Sequence, residues 1–229
     1  MSSIIHVSRH VVIPPIMQIR VIAPRSAAAV SWWLSGGVSA VNCLGAYAAK
    51  GAASLAASYS NLNAPGTNDL IAVTAPAGGW DATNGWKFTN ALAGGCLQAA
   101  TVGDGHTFLM RFSNAAAANA FMTTSADNYW RIRQRAGGTD VQYYYKTTTG
   151  VVTVPPYMAS GNYGMAAGQG YRNGAAEGLP STGTSVINAA MYIGAATWPA
   201  AMYVQAYALY NTALSAAQML AISTAMAAL

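Results

Sequence analysis

The sequence predicts an all-β protein: a two-sheet antiparallel sandwich or jelly roll over residues 31–229, with an extended N-terminal arm over residues 1–30. Short apolar or aromatic runs alternate closely with turn signals such as Gly78-Gly79, Asn84-Gly85 and Gly103-Asp104-Gly105. This spacing favours a sandwich over alternating strands and helices. The chain has 229 residues, enough for one large β domain, so no second domain is needed.

The composition limits the functions that fit. Only 7% of the residues are charged, whereas 53% are hydrophobic. Such a weakly solvated surface indicates either coverage by neighbours in an assembly or a neutral, hydroxyl-rich extracellular surface. The net charge of +5 comes from few acids and contains no run of Lys and Arg, so we expect no nucleic-acid partner. No apolar stretch has the length of a membrane span, and charges interrupt the N-terminus, so we expect neither a membrane partner nor a signal peptide.

The predicted arm differs from the rest of the chain. Pro14-Pro15 exclude a continuous helix or a central strand. Residues 11–13 and 19–22 are apolar enough to dock on a neighbouring subunit by strand addition, although an ordinary first strand of the same domain is the alternative. Arg9 and Arg20 are candidate partner-binding residues within this arm.

One hairpin is especially clear in the sequence. A strand through residues 130–135 presents three arginines on one face, and the following strand, 141–146, places Tyr143 and Tyr145 on one face and Tyr144 on the other. The arginine face is a candidate site for an anionic glycan or for the carboxylates of a partner subunit. A solvated outer sheet face is the alternative. The arginines are Arg131, Arg133 and Arg135.

The C-terminal segment predicts a strand over residues 203–210 followed by a helix. Ser215 and Gln218 form a capping box, which satisfies free N–H groups at a helix start. Apolar residues then recur at three- and four-residue steps, so we expect this face to pack across the sandwich edge or onto a partner. These residues are Met219, Ile222, Met226 and Leu229.

Several segments, in this order, resemble concanavalin A-like lectin/glucanase domains of the laminin G-like kind. They are "GWKFTNALAGGCLQA", "HTFLMRFS", "GQGYRNGAAEG", "AAMYIGAA" and "YVQAYALYNTALSAAQMLAIS", and the resemblance covers residues 43–229. The Ala-rich start "AYAAKGAASLAASYSNLNAPGTND" is similar to variants typical of bacteriophage. The resemblance implies a many-stranded concanavalin A-like jelly roll, sometimes with carbohydrate or Ca²⁺ at its loop rim, and a place in a virion.

The acidic residues argue against metal binding and glycan hydrolysis. There are six acids in the chain, and none has the Asp-x-Asp spacing that favours a Ca²⁺ site, so we expect no metal and no cofactor. Glycosidases of this superfamily need two carboxylates beside the scissile bond, but Glu177 is the only glutamate. His6, His10 and His106 form no recognisable catalytic motif. The sequence therefore predicts a protein that is not an enzyme.

Aromatic and amide side chains provide the candidate carbohydrate site. Trp80, Trp198 and Tyr163 could stack on sugar rings, and Asn162 could hold a sugar hydroxyl. Simple packing is the alternative for each aromatic. Cys43 and Cys96 allow one disulfide or two buried free thiols.

These observations predict a non-enzymatic bacteriophage virion structural protein, such as a capsid decoration, tail or fibre subunit, anchored by its N-terminal arm. We expect its partners to be other virion subunits and further copies of itself, with a trimer as one possible symmetry. The alternative is a carbohydrate-binding adhesion module that meets a cell-surface glycan. A degraded glycan hydrolase is a third hypothesis.

Overall fold

The structure is a computed structural model in which the predicted arm and Trp198 lie outside the described residues. The described residues are 31–74, 79–89, 96–116, 120–135, 140–147, 151–153, 156–178, 183–194 and 200–229.

Strands dominate the described chain, and two short 3-10 helices, Trp32–Leu34 and Ala40–Asn42, precede them. The strands are β1 (Cys43–Ala48), β2 (Ile71–Thr74), β3 (Trp80–Asp81), β4 (Gly85–Phe88), β5 (Cys96–Gly103), β6 (Thr107–Ser113), β7 (Ala120–Ser125), β8 (Trp130–Gln134), β9 (Val141–Tyr145), β10 (Val151–Thr153), β11 (Gly161–Ala166), β12 (Gln169–Arg172), β13 (Ala175–Glu177), β14 (Asn188–Gly194) and β15 (Met202–Tyr210). The α-helices are α1 (Leu55–Ser58) and α2 (Ala216–Ala227).

The strands form two antiparallel sheets, which confirms the predicted all-β sandwich. The eight-stranded sheet has the order β13-β12-β11-β6-β15-β4-β3, and β1 also pairs with β15. The seven-stranded sheet has the order β10-β9-β8-β7-β14-β5-β2. Strand β15 pairs with β6 along one side, whereas β4 and β1 pair with successive parts of β15.

The main core lies between the sheets and is rich in aromatic rings. Phe108 of the eight-stranded sheet meets Trp130 of the seven-stranded sheet edge to face, with ring centroids 5.1 Å apart. Thr123 Oγ1 and Tyr207 Oη form a hydrogen bond of 3.0 Å between the sheets. Trp86 and Trp130 are fully buried. Burial of these large rings is the main source of the sandwich's stability.

The predicted hairpin of β8 and β9 is confirmed. Arg131 lies opposite Tyr144 and Ile132 opposite Tyr143, so the arginines and the core side chains occupy opposite faces of β8. The turn between β12 and β13 contains Asn173 and Gly174 at φ values of 48° and 82°. An Asn-Gly pair tolerates this left-handed backbone, which a tight hairpin turn of this kind requires.

Helix α2 covers part of the outer face of the eight-stranded sheet. Its predicted capping box is confirmed: Ser215 N donates to Gln218 Oε1 at 3.0 Å, and Gln218 N donates to Ser215 Oγ at 3.3 Å. The predicted apolar face is also confirmed, because Met219, Ile222 and Met226 are buried against side chains of β6 and β15. The helix packs on the face of a sheet rather than across the sandwich edge.

Both cysteines are buried free thiols. Cys43 begins β1 in the eight-stranded sheet, whereas Cys96 begins β5 in the seven-stranded sheet. Burial raises the pKa of Cys43 to about 12 and also raises the pKa of Cys96. Both thiols therefore stay protonated and behave as small apolar side chains at neutral pH.

Candidate ligand-binding face

A row of side chains crosses the outer face of the seven-stranded sheet. Each member lies directly opposite the next on the neighbouring strand, from β2 through β5, β14, β7 and β8 to β9. Directly opposed residues share one face of a sheet. The row therefore runs over six strands, a span of roughly 24 Å at the usual strand spacing. Its members, which we call the transverse row, are Ile71, Gln98, Tyr192, Thr124, Arg131 and Tyr144.

The strand neighbours of this row fix its outward direction. Leu97, Met191, Trp130 and Ile132 are all fully buried in the core between the sheets. Because side chains alternate along a strand, residues between these core positions point away from the core. Helix α2 lies against β6, β11 and β13, which belong to the other sheet. The transverse row is thus on the sheet opposite the one that the C-terminal helix covers.

The arginine end of the row is held by stacking and hydrogen bonds. The Arg131 guanidinium lies over the Tyr144 ring, with Cζ 4.1 Å from the ring centroid. Tyr144 Oη donates to Gln142 Oε1 at 2.7 Å and accepts a hydrogen bond of 3.4 Å from Arg133 Nη1. Tyr144 is buried, although it is on the outer side of the sheet. We call Arg131, Arg133, Gln142 and Tyr144 the arginine cluster.

The charges within the arginine cluster act on one another. Partial burial lowers the pKa of Arg131, the nearby Tyr144 hydroxyl raises it, and the like charge of Arg133 lowers it further. An arginine side chain nevertheless stays protonated in proteins. The cluster therefore presents two positive charges that repel each other on one face of β8.

The opposite end of the row opens into a small pocket of about 180 Å³. This volume is below the usual range for drug-sized ligands, so it suits one small ring or the end of a chain. Its wall is held in place, because Asp69 Oδ1 accepts hydrogen bonds from the backbone N–H of Asn61 and of Gly66 at 2.8 and 3.2 Å. Gln98 belongs to both the pocket and the transverse row. The pocket is lined by Asn68, Asp69, Ile71, Gln98, Ala99, Ala100 and Thr101.

Together the row and the pocket offer the contacts that a sugar chain needs. The amide of Gln98 can donate and accept hydrogen bonds, and the half-buried Tyr192 adds an apolar ring with a hydroxyl. Ile71 is 59% exposed and adds an apolar contact beside the pocket. Sugars present both hydroxyls and apolar CH faces, so this combination of side chains matches their chemistry.

The structure corrects two of the predicted carbohydrate contacts. Tyr163 is fully buried between Phe112, on which it stacks at 5.1 Å, and Tyr143, so its ring cannot reach a sugar. Asn162 is also buried, and its Nδ2 donates to both Ser223 O and Ser223 Oγ at 2.8 Å. It therefore fixes helix α2 to β11 and is not available as a ligand-binding side chain.

The other predicted site residues differ in their surroundings. Trp80 is partly buried on β3, at the end of the eight-stranded sheet, and its Nε1 donates to Ala49 O at 2.8 Å. A sugar contact by Trp80 stays a prediction, on a surface distinct from the transverse row. Arg131 and Arg133 share the predicted face, whereas Arg135 pairs with Asp140 at 3.2 Å. Trp198, Arg9 and Arg20 lie outside the described residues.

Gln98 and Tyr192 were not predicted as site residues from the sequence. Gln98 and Tyr192 each stand between two core residues, in "CLQAA" and "AAMYIG", and this pattern marks them as outward-facing. What the pattern does not contain is the strand order β5-β14-β7-β8 that joins them to the arginines.

A cluster of ionisable side chains lies at the turn between β5 and β6: Asp104, His106 and Lys146. Asp104 Oδ2 accepts from Lys146 Nζ at 2.8 Å, and Asp104 Oδ1 accepts from Ile187 N at 3.2 Å. The hydrogen bond from Lys146 lowers the pKa of Asp104, and burial lowers the pKa of His106. His106 Nδ1 accepts from Gly103 N at 3.0 Å. These groups are engaged with one another and with backbone, so they stabilise the turn.

Among the described residues, no group of three or more His, Cys, Asp or Glu side chains is placed to hold a metal ion. A helix long and apolar enough to cross a membrane does not occur in this part of the chain.

Comparison with known proteins gives a fold but no family. No family model and no curated protein matches the sequence. A mutant of Trypanosoma rangeli sialidase with trans-sialidase activity is similar in structure, with a TM-score of 0.59 and 14% identity over 82% of this chain. This chain spans only 34% of that sialidase. The predicted lectin-like sandwich is thus supported at the level of the fold.

Two smaller domains are also similar. Domain 4 of AbnA, a GH43 extracellular arabinanase from Geobacillus stearothermophilus, was solved in complex with arabinotriose and has a TM-score of 0.51, with 10% identity over 80% of this chain and 98% of that domain. The binding domain of Paraclostridial Mosquitocidal Protein 1 has the same TM-score and identity, over 79% of this chain and 51% of that one.

These likenesses correct the prediction that the protein is not an enzyme. That prediction was wrong to exclude catalysis, because the structures that share the fold include sialidases, which are enzymes. The lack of paired carboxylates and of a histidine motif in the sequence argues only against those particular catalytic arrangements. At 14% identity the likeness shows the fold alone and assigns no reaction to this chain.

Proposed function

We propose that this protein is a carbohydrate-binding module that takes its ligand along the transverse row. The observation that carries the proposal is the alignment of Gln98, Tyr192, Thr124 and Arg131 across adjacent strands, with a pocket at one end. A row perpendicular to the strands places one side chain about every 4.8 Å. The partly exposed members Gln98, Tyr192 and Arg131 can contact an extended sugar chain on either side of Thr124, which is buried. Side chains on strands hold such positions rigidly.

The comparisons support this proposal at the level of the fold. The arabinanase domain shares the sandwich over nearly its full length and was solved with a bound trisaccharide. The alternative hypothesis from the sequence, a carbohydrate-binding module, is therefore better supported than a purely structural role.

The test is a glycan array followed by calorimetry on the oligosaccharides that bind, with arabinotriose included as one probe. Tyr192→Ala removes the central ring of the row, and we expect binding to weaken about fivefold, since losing an aromatic contact costs roughly 1 kcal/mol. Tyr203→Ala is the matched control, because Tyr203 is also half-buried but lies on β15 of the other sheet. We expect its binding to match wild type.

Two results would overturn the proposal: no binding to any glycan, or equal losses for Tyr192→Ala and Tyr203→Ala. Each bound glycan is also incubated with the protein and its products are separated, so that turnover is measured alongside binding.

We propose further that the protein is part of a virion, anchored by its N-terminal arm, and that it assembles with copies of itself. Strand β2 lies at one edge of the seven-stranded sheet, and its Ile71 and Val73 are 59% and 50% exposed. An exposed apolar edge strand is a template for pairing with another chain. Deletion of residues 1–28 tests the proposed anchoring in a virion by the N-terminal arm. Loss of assembly onto virus particles supports this anchoring, and undiminished assembly contradicts it.

A further inference from the structure

We infer that the ligand of the transverse row is an acidic glycan, whose carboxylate or sulfate group is bound by Arg131 and Arg133. This inference rests on the proposed function and specifies the chemistry of its ligand.

The geometry of β8 brings the two guanidiniums to one place. Arg131 and Arg133 are two positions apart on a strand, so their Cα atoms are roughly 7 Å apart and their side chains leave the same face. Both converge on Tyr144: one stacks on its ring, and the other donates to its hydroxyl. A guanidinium has five N–H donors in a planar fork, which suits the paired oxygens of a carboxylate or sulfate.

Charge favours an anion at this position. Two neighbouring positive charges on one strand face repel each other, and an oxyanion between them relieves this repulsion. The protein has eleven bases and six acids. The chain's net charge of +5 adds a general attraction for anions.

The rest of the row favours a glycan over another polyanion. Beyond Arg131 the row continues through Thr124 and Tyr192 to Gln98, which carry no charge. Nucleic acids bring one phosphate per nucleotide and are bound through many spaced Lys and Arg residues. A positive site confined to one end of a neutral row instead matches a sugar chain that carries an acidic group at one position.

The experiment compares acidic oligosaccharides with their neutral counterparts. One pair is an oligogalacturonate and its methyl ester, and the second is a sulfated galactan oligosaccharide and its desulfated form. We expect at least one acidic member to bind about tenfold more tightly than its neutral counterpart, because hydrogen bonds between charged partners are stronger than those between neutral ones. The preference should weaken as salt is raised. The two pairs distinguish a carboxylate from a sulfate ligand.

Substitutions of the arginines test whether Arg131 and Arg133 cause the preference for the acidic oligosaccharide. Arg133→Gln should reduce the preference for the acidic member to less than threefold, and Arg131→Lys should reduce it while keeping the charge, because lysine lacks the planar fork. Arg135→Gln is the control, because Arg135 is close to Arg133 in the chain but pairs with Asp140. We expect this variant to prefer the acidic oligosaccharide as strongly as the wild-type protein does. Circular dichroism and the unfolding midpoint verify that each variant folds.

The outcomes separate this inference from the proposed function. Equal binding of acidic and neutral members, or a preference that survives Arg133→Gln and Arg131→Lys, overturns the inference and leaves carbohydrate binding in place. Binding of single-stranded DNA more tightly than every glycan also overturns it. If no glycan of either kind binds, both proposals fail.

Discussion

Replacing Asn162 by alanine decides between its predicted role as a sugar ligand and the role that the structure gives it. The side chain is buried, and its Nδ2 donates two hydrogen bonds of 2.8 Å to Ser223 of helix α2. Losing two such bonds costs about 2 kcal/mol. The buried Ser223 hydroxyl loses a partner, which costs roughly 1 kcal/mol, while removing the unpartnered Asn162 Oδ1 returns about the same amount.

We therefore expect Asn162→Ala to lower the free energy of unfolding by about 2 kcal/mol and the melting temperature by about 4–8 °C. Urea unfolding followed by tryptophan fluorescence gives the first value, and calorimetry gives the second. Ser223→Ala removes only the hydroxyl partner, so we expect about half the loss. Glycan affinity should stay unchanged in both variants. A stability within about 0.5 kcal/mol of wild type, combined with weaker glycan binding, would refute the structural role of Asn162.

Three further predictions concern the turns and caps. The pKa of His106 is lowered in the folded state, so folding favours the neutral ring, which accepts a hydrogen bond from Gly103 N. The wild-type protein should therefore lose stability as the pH falls below about 6.5, and His106→Asn should remove this loss. Urea unfolding midpoints of both proteins at pH 7.5 and 5.5 would measure the difference. Gly85→Ala should destabilise by about 2–4 kcal/mol, because Gly85 has φ 93° and a Cβ would clash with Val204 O; unchanged thermal unfolding would contradict this. Ser215→Ala should cost about 1 kcal/mol in the same assay by removing the N-cap of helix α2, whereas Ser215→Thr should cost less.

Local chemistry predicted the elements of the fold better than their arrangement. The capping box of Ser215 and Gln218 is confirmed because it depends on residues three positions apart. The place of helix α2 on the eight-stranded sheet depends instead on contacts such as Asn162 with Ser223, 61 positions apart. A burial pattern predicts that a helix has an apolar face but does not specify the surface that covers it.

The same reasoning explains which parts of the candidate site could be predicted. Arg131 and Arg133 were placed correctly on one face, because alternation within a single strand determines this. Tyr163 was misassigned because an aromatic residue in a glycine-rich hairpin resembles an exposed loop residue, yet here it stacks on Phe112 of the neighbouring strand. Gln98 and Tyr192 were missed because only the sheet order brings them together with the arginines.

In the proposed acidic-glycan site, the fold already restricts the arginine side chains before a ligand binds. A free arginine side chain loses considerable rotamer freedom when it binds, and this loss weakens binding. Arg131 is already held against the Tyr144 ring, and Tyr144 is itself fixed by Gln142 and Arg133. Folding has therefore ordered these side chains, so an incoming carboxylate or sulfate needs to order only itself. We therefore expect Tyr144→Phe, which keeps the ring but removes the hydroxyl that Gln142 and Arg133 contact, to reduce the preference for the acidic oligosaccharide in the same binding assay. An unchanged preference would contradict this role of the hydroxyl.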